Sequence, residues 1–186
     1  MQPKHFLRHF KERAEALLSG HANTIANFRN PNMPWAGERC RSTYAGLSGV
    51  AYALPGCFCP IGSWEPLMWM MTAFLSCQAD YFHIHHDSVY HGLDRCFASL
   101  VMARCLLICA VHLPTQFFLL AALPLFCFVK GRDAKLLPDP SGWIFWHTCW
   151  HVSGGMLVAV GTWMLHCSSP AAAGLSMGGA EIVALG

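Results

Sequence analysis

Four long stretches of this chain carry almost no formal charge, and that scarcity constrains its fold more than any other feature. Ser42 to Trp64 and Pro66 to Ala79 contain no Asp, Glu, Lys or Arg. Cys96 to Val129 contains only Arg104, and no charged residue stands between Pro140 and Glu181. Over all 186 residues the charged share is 12%, about half of what soluble domains carry, while 54% of the residues are hydrophobic. So few charges cannot cover a globule of this size in water, and so apolar a chain is not disordered. The net charge is only +2 and no basic run interleaves with aromatic residues, which argues against a nucleic-acid binder. The solvent such a chain expects is a lipid bilayer.

Read with that solvent in mind, the sequence predicts an all-α, polytopic transmembrane helix bundle of about five spans, preceded by an amphipathic N-terminal helix. The first span would lie in 42–64, where Pro55, Gly56, Pro60 and Gly62 interrupt it. The second covers about 65–82 and ends near Asp80. His112-Leu-Pro114 offers a turn that divides the next apolar region into spans of about 93–112 and 115–130. The fifth covers about 142–165. The organisation expected is a cytoplasmic helix and loop over 1–41, the bundle over 42–168 and a small-residue tail over 169–186. Phe6, Leu7, Phe10, Ala14, Leu17 and Leu18 recur at helical spacing with Lys4, Arg8, Lys11 and Arg13 between them, the pattern of a helix lying on a membrane surface. This segment has no continuous apolar core and does not read as a signal peptide.

Seven of the twelve basic residues fall in the first 41 positions, and Lys130, Arg132 and Lys135 form a second group. Five spans place both groups on one side, so the positive-inside rule predicts a cytoplasmic N-terminus. Of ten cysteines, seven (Cys77, Cys96, Cys105, Cys109, Cys127, Cys149 and Cys167) lie within or beside apolar runs, where Cys acts as a small hydrophobe, and no zinc-finger spacing is present.

The polar residues of the apolar region are not scattered. Ser76, Asp80, His83 and Asp87 stand at i, i+4, i+7 and i+11, so one face carries all four if the second helix continues that far. Asp94 opens the third helix. His147 and His151 stand at i, i+4 near the start of the fifth. Alternation of the spans brings the end of the second and the starts of the third and fifth to one membrane face. Ionisable groups at that depth are costly and usually face the bundle interior with partners. Two imidazoles one helical turn apart suit two ligands of one Zn²⁺, and a third ligand from another helix would leave an open position for chemistry. Asp94 could then move a proton and Ser76 could donate to an oxyanion. A blander reading sets the histidines in an interfacial aromatic belt with Trp146 and Trp150, and makes Asp94 a helix-start acid.

These residues resemble the CREST superfamily, which holds alkaline ceramidases, progestin and adipoQ receptors and GPI-lipid-remodelling membrane proteins. The resemblance covers about residues 65–165. It rests on His147-Thr-Cys-Trp150-His151, on Leu93-Asp94 opening the third span, and on Ser76 in the second. The family commonly places a histidine four residues after its serine, and here that position is Asp80. If Ser76 sets the register, the third ligand is Asp80; if Asp94 sets it, the ligand is His83. The family core has seven helices, against five counted here. The resemblance implies an integral membrane, zinc-dependent hydrolase acting on a lipid amide or ester. Zinc would be held by His147, His151 and Asp80 or His83, with Asp94 and Ser76 in catalysis. The alternatives are a non-enzymatic receptor or scaffold with structural metal or none, and a haem protein with axial histidines from facing helices.

Overall fold

A computed structural model describes residues 26–35 and 40–166, with isolated positions between 11 and 23. The expected amphipathic helix lies largely outside the described residues, and the small-residue tail lies wholly outside them. Among the described residues every regular element is helical and there is no strand. Five α-helices follow one another: α1 (Thr43–Ser48), α2 (Glu65–Cys77), α3 (Val89–His112), α4 (Gln116–Ala134) and α5 (Ser141–His166). α1 runs directly into a 3₁₀ stretch, Gly49–Phe58, and α2 into a π-turn, Gln78–Phe82.

Local chemistry sets these limits. Pro66 occupies the first turn of α2, where a missing N–H costs nothing, and Glu65 beside it favours the positive end of the helix. Ser88, not the neighbouring Asp87, caps α3 by accepting from the Tyr90 N–H at 3.3 Å. Leu113 turns extended before Pro114 and stops α3 there. Asp139 receives the Ser141 N–H at 3.3 Å where α5 begins. α2 does not continue to Asp87: the chain leaves the helix at His83, so Ser76, Asp80, His83 and Asp87 do not share a face.

The 3₁₀ stretch packs between α2 and α5, and α4 lies along α5. Two glycines make the first packing possible. A Cβ at Gly155 would sit 2.6 Å from the Ala51 carbonyl oxygen, and one at Gly49 would sit 2.7 Å from Ser76 Oγ. Two small cores form, one of Cys40, Ala45, Ile84, Ala134 and Trp143 and one of Met68, Trp69 and Val101.

By length and apolarity one described helix, α3, qualifies as a membrane crossing, with 24 residues and a mean hydropathy of 1.6. α2 has 13 residues and spans about 20 Å, short of the roughly 30 Å of a hydrocarbon core. α5 is longer, at 26 residues, but its histidines, serines and glycines dilute its apolarity.

Residues 27–35 form a strap across the end of the bundle where α2 stops. Arg29 O accepts from the Ser88 N–H at 2.8 Å. Arg95 donates to the carbonyls of Asn27 and Asn30 at 3.3 and 2.6 Å. Trp35 Nε1 donates to Leu137 O at 2.9 Å, and its ring packs against Trp143 at 5.9 Å.

Candidate metal centre

His147 and His151 stand one turn apart on α5, so their rings lie together, 4.2 Å between centroids. Asp80 reaches them from the π-turn. Its Oδ2 lies 3.0 Å from His147 Nε2 and 3.7 Å from His151 Nε2. The ligand atoms of these three residues all lie within 4.8 Å of one another, and together they could hold a metal ion. The three side chains are only 13%, 3% and 13% exposed for His147, His151 and Asp80.

The hydrogen bonds around this group fix which nitrogen faces inward. Ser48 Oγ donates its single hydrogen to Ala45 O at 2.6 Å. It can therefore only accept from His151 Nδ1, 3.0 Å away, so the ring hydrogen sits on Nδ1. His151 Nε2 is then a bare lone pair turned toward Asp80, the arrangement by which an outer partner orients a ligating imidazole. Trp143, one turn before His147 and 1% exposed, stacks on the His147 ring at 4.7 Å and holds its plane. Tyr52 presents its ring edge-on to His151 at 5.2 Å.

Ser76, 2% exposed, donates to Asp80 Oδ2 at 3.3 Å. That oxygen thus faces Ser76 and both histidines. Asp94 lies within electrostatic reach of Asp80 and of the Tyr52 hydroxyl. Lys135, just beyond α4, sits over the Trp143 ring at 5.9 Å. Burial pushes its amine below the usual lysine range, and the Asp80 charge opposes that shift.

Of the sequence-derived candidates, the structure joins Asp80, His147 and His151 directly, sets Ser76 against Asp80 and places Asp94 close by. It does not bring His83 into this group. The π-turn bond from His83 N–H to Gln78 O at 3.0 Å widens the helix just after Asp80 and turns His83 away. His83 instead stacks on Tyr90 and meets His86. Sequence reasoning missed Ser48, Tyr52 and Trp143. Trp143 was findable, since Trp143-x₃-His147-x₃-His151 repeats at one helical turn. Ser48 and Tyr52 lie in the uncharged first segment, and only its packing onto α5 reveals them.

Comparison with known proteins finds no protein-family model, no curated protein and no solved structure that matches this chain. What fold and site define together is an all-helical protein with an interior His₂Asp group able to hold a metal ion.

Proposed function

We propose that this chain is a multi-pass membrane hydrolase that uses zinc to cleave a lipid amide or ester, as its resemblance to the alkaline ceramidases implies. The observation that carries the reading is the convergence of Asp80, His147 and His151, with Ser76 on the carboxylate and Asp94 within electrostatic reach of it. Nitrogen and carboxylate donors suit zinc, and three protein ligands are the usual complement of a catalytic rather than a structural site.

Zinc in this group would polarise a carbonyl and lower the pKa of a water at the open position. His147, His151 and Asp80 would hold the ion, and Ser48 and Trp143 keep the two imidazoles aimed. Asp94 takes the proton of the attacking water and returns it to the leaving amine or alcohol. Ser76 has one hydrogen to give. It goes to Asp80 in the resting arrangement and turns to the oxyanion as the carbonyl becomes tetrahedral.

A bilayer supplies both solvent and substrate in this reading. Leu100, Leu107 and Val111 on α3 are 70%, 68% and 66% exposed, and Leu119 on α4 is 76% exposed, a surface that water does not favour. The basic first 41 residues and the group at 130–135 set the N-terminus and the site on the cytoplasmic side.

The test is elemental analysis of detergent-purified protein followed by turnover of N-acyl and O-acyl lipids. About one zinc at this site is expected in wild type, lost with activity in His147→Ala/His151→Ala. Asp94→Asn should keep the zinc and lose the activity. Zinc content unchanged in the double variant would remove the site, and zinc without hydrolysis of either lipid class would leave a metal-binding membrane protein.

A further inference from the structure

A second group of imidazoles lies outside the interior site, in the turn His83-Ile84-His85-His86 between the π-turn and α3. His83 Nδ1 and His86 Nε2 face each other at 2.9 Å. The His85 ring stands 4.7 Å from that of His86. His85 and His86 are exposed and His83 is half-buried.

The surrounding structure holds this turn in shape. His91, 4% exposed, directs Nε2 at the carbonyls of His83 and His86, at 3.0 and 3.2 Å. Both partners are acceptors, so Nε2 carries the hydrogen and ties the two ends of the turn to α3. His86 N–H donates to His83 O at 3.1 Å, closing the turn. The His83 ring lies flat on Tyr90, 18° from parallel, which fixes its rotamer. The facing of the two ring nitrogens is therefore built by the backbone, a buried histidine and a stacked tyrosine, on an exposed surface.

We propose that His83 and His86 form a second, solvent-accessible metal site that takes zinc independently of the interior group. Two nitrogens on one tetrahedral zinc stand about 3.3 Å apart, given bonds of roughly 2.0–2.1 Å. The present 2.9 Å opens to that value by a small ring rotation. Whichever ring now donates moves its hydrogen to its other nitrogen, so both offer lone pairs without net loss of a proton. All-imidazole donors select zinc or its neighbours over magnesium and calcium. Two protein ligands, one of them exposed, make the ion exchangeable, unlike one held by the buried His₂Asp group.

The test is equilibrium dialysis of the full chain in detergent against micromolar free zinc, with bound zinc read by elemental analysis. His83→Gln/His86→Gln should bind one zinc fewer per chain than wild type, with an unchanged circular dichroism spectrum. Equal uptake by that variant and wild type overturns the proposal. Should the double variant fail to fold, His86→Gln alone, at an exposed position, should weaken the outer zinc at least tenfold, and unchanged affinity there overturns it equally. His147→Ala/His151→Ala reports on the interior group alone, so the two readings fail separately.

Discussion

Two acids in contact with histidine flank α2, Glu65 at its start and Asp80 in the π-turn that follows it, and they are built differently. At the start of α2, Glu65 pairs through Oε1 with the Arg104 guanidinium of α3, and its Oε2 lies 3.4 Å from His166 at the end of α5. Arg104 also lies over the Trp64 ring at 5.4 Å. At the other end, Asp80 gathers Ser76, His147 and His151 about one oxygen, and no guanidinium touches that oxygen among the described residues. Both clusters tie α2 to α5. A permanent cation meets the Glu65 charge and closes that cluster to chemistry. The His147 imidazole meets the Asp80 charge, and that nitrogen can exchange its proton for a metal ion. Acids beside histidines are therefore not diagnostic by themselves; what answers the negative charge is.

That contrast breaks most directly at Asp80. Asp80→Asn should weaken zinc by more than about 100-fold, beyond what losing a supporting partner gives, while Glu65→Gln should leave zinc affinity unchanged. Competition with a chromogenic chelator reads both, and an equal loss in the two variants would erase the distinction. Next in size is metal removal. Stripping zinc held at about 100 times its dissociation constant should cost about 2.7 kcal/mol of stability. Hydrogen exchange should then rise around residues 78–91 and 147–151 and stay unchanged around 59–66 and 104.

Loss of a partner at the closed end should act on stability alone. Glu65→Gln or Arg104→Met should cost about 1–3 kcal/mol, between the exposed and buried limits for an ion pair, because the side chains are 15% and 29% exposed. A thermal melt checks this. Smallest is Ser48→Ala, which removes the acceptor that holds the His151 hydrogen on Nδ1. It should weaken zinc about tenfold and leave the circular dichroism spectrum as it is.

Much of this arrangement is legible in the sequence. The break at Pro114 and the limits of the last helix match the structure closely, whereas the segment read as one span over 42–64 is a short α1 and a 3₁₀ stretch, and α4 runs past Lys130 to Ala134. Ser76, Asp80, His147 and His151 follow from helical spacing alone, because each pair stands one turn apart. His83 does not, because a π-turn adds width between it and Asp80, and no residue type in Gln78–Phe82 announces that geometry. Ser48 and Tyr52 are illegible for another reason. They reach His151 only because Gly155 lets the 3₁₀ stretch press against α5, a contact about a hundred residues distant along the chain.

The strap over residues 27–35 sets an order of events during synthesis. It leaves the ribosome before any of the five helices, yet its anchors are Ser88, Arg95, Leu137 and Trp143. Trp35 and Leu137 are 102 positions apart. The strap is thus fastened only once partners in α3, after α4 and in α5 have been made, although it is itself made before them.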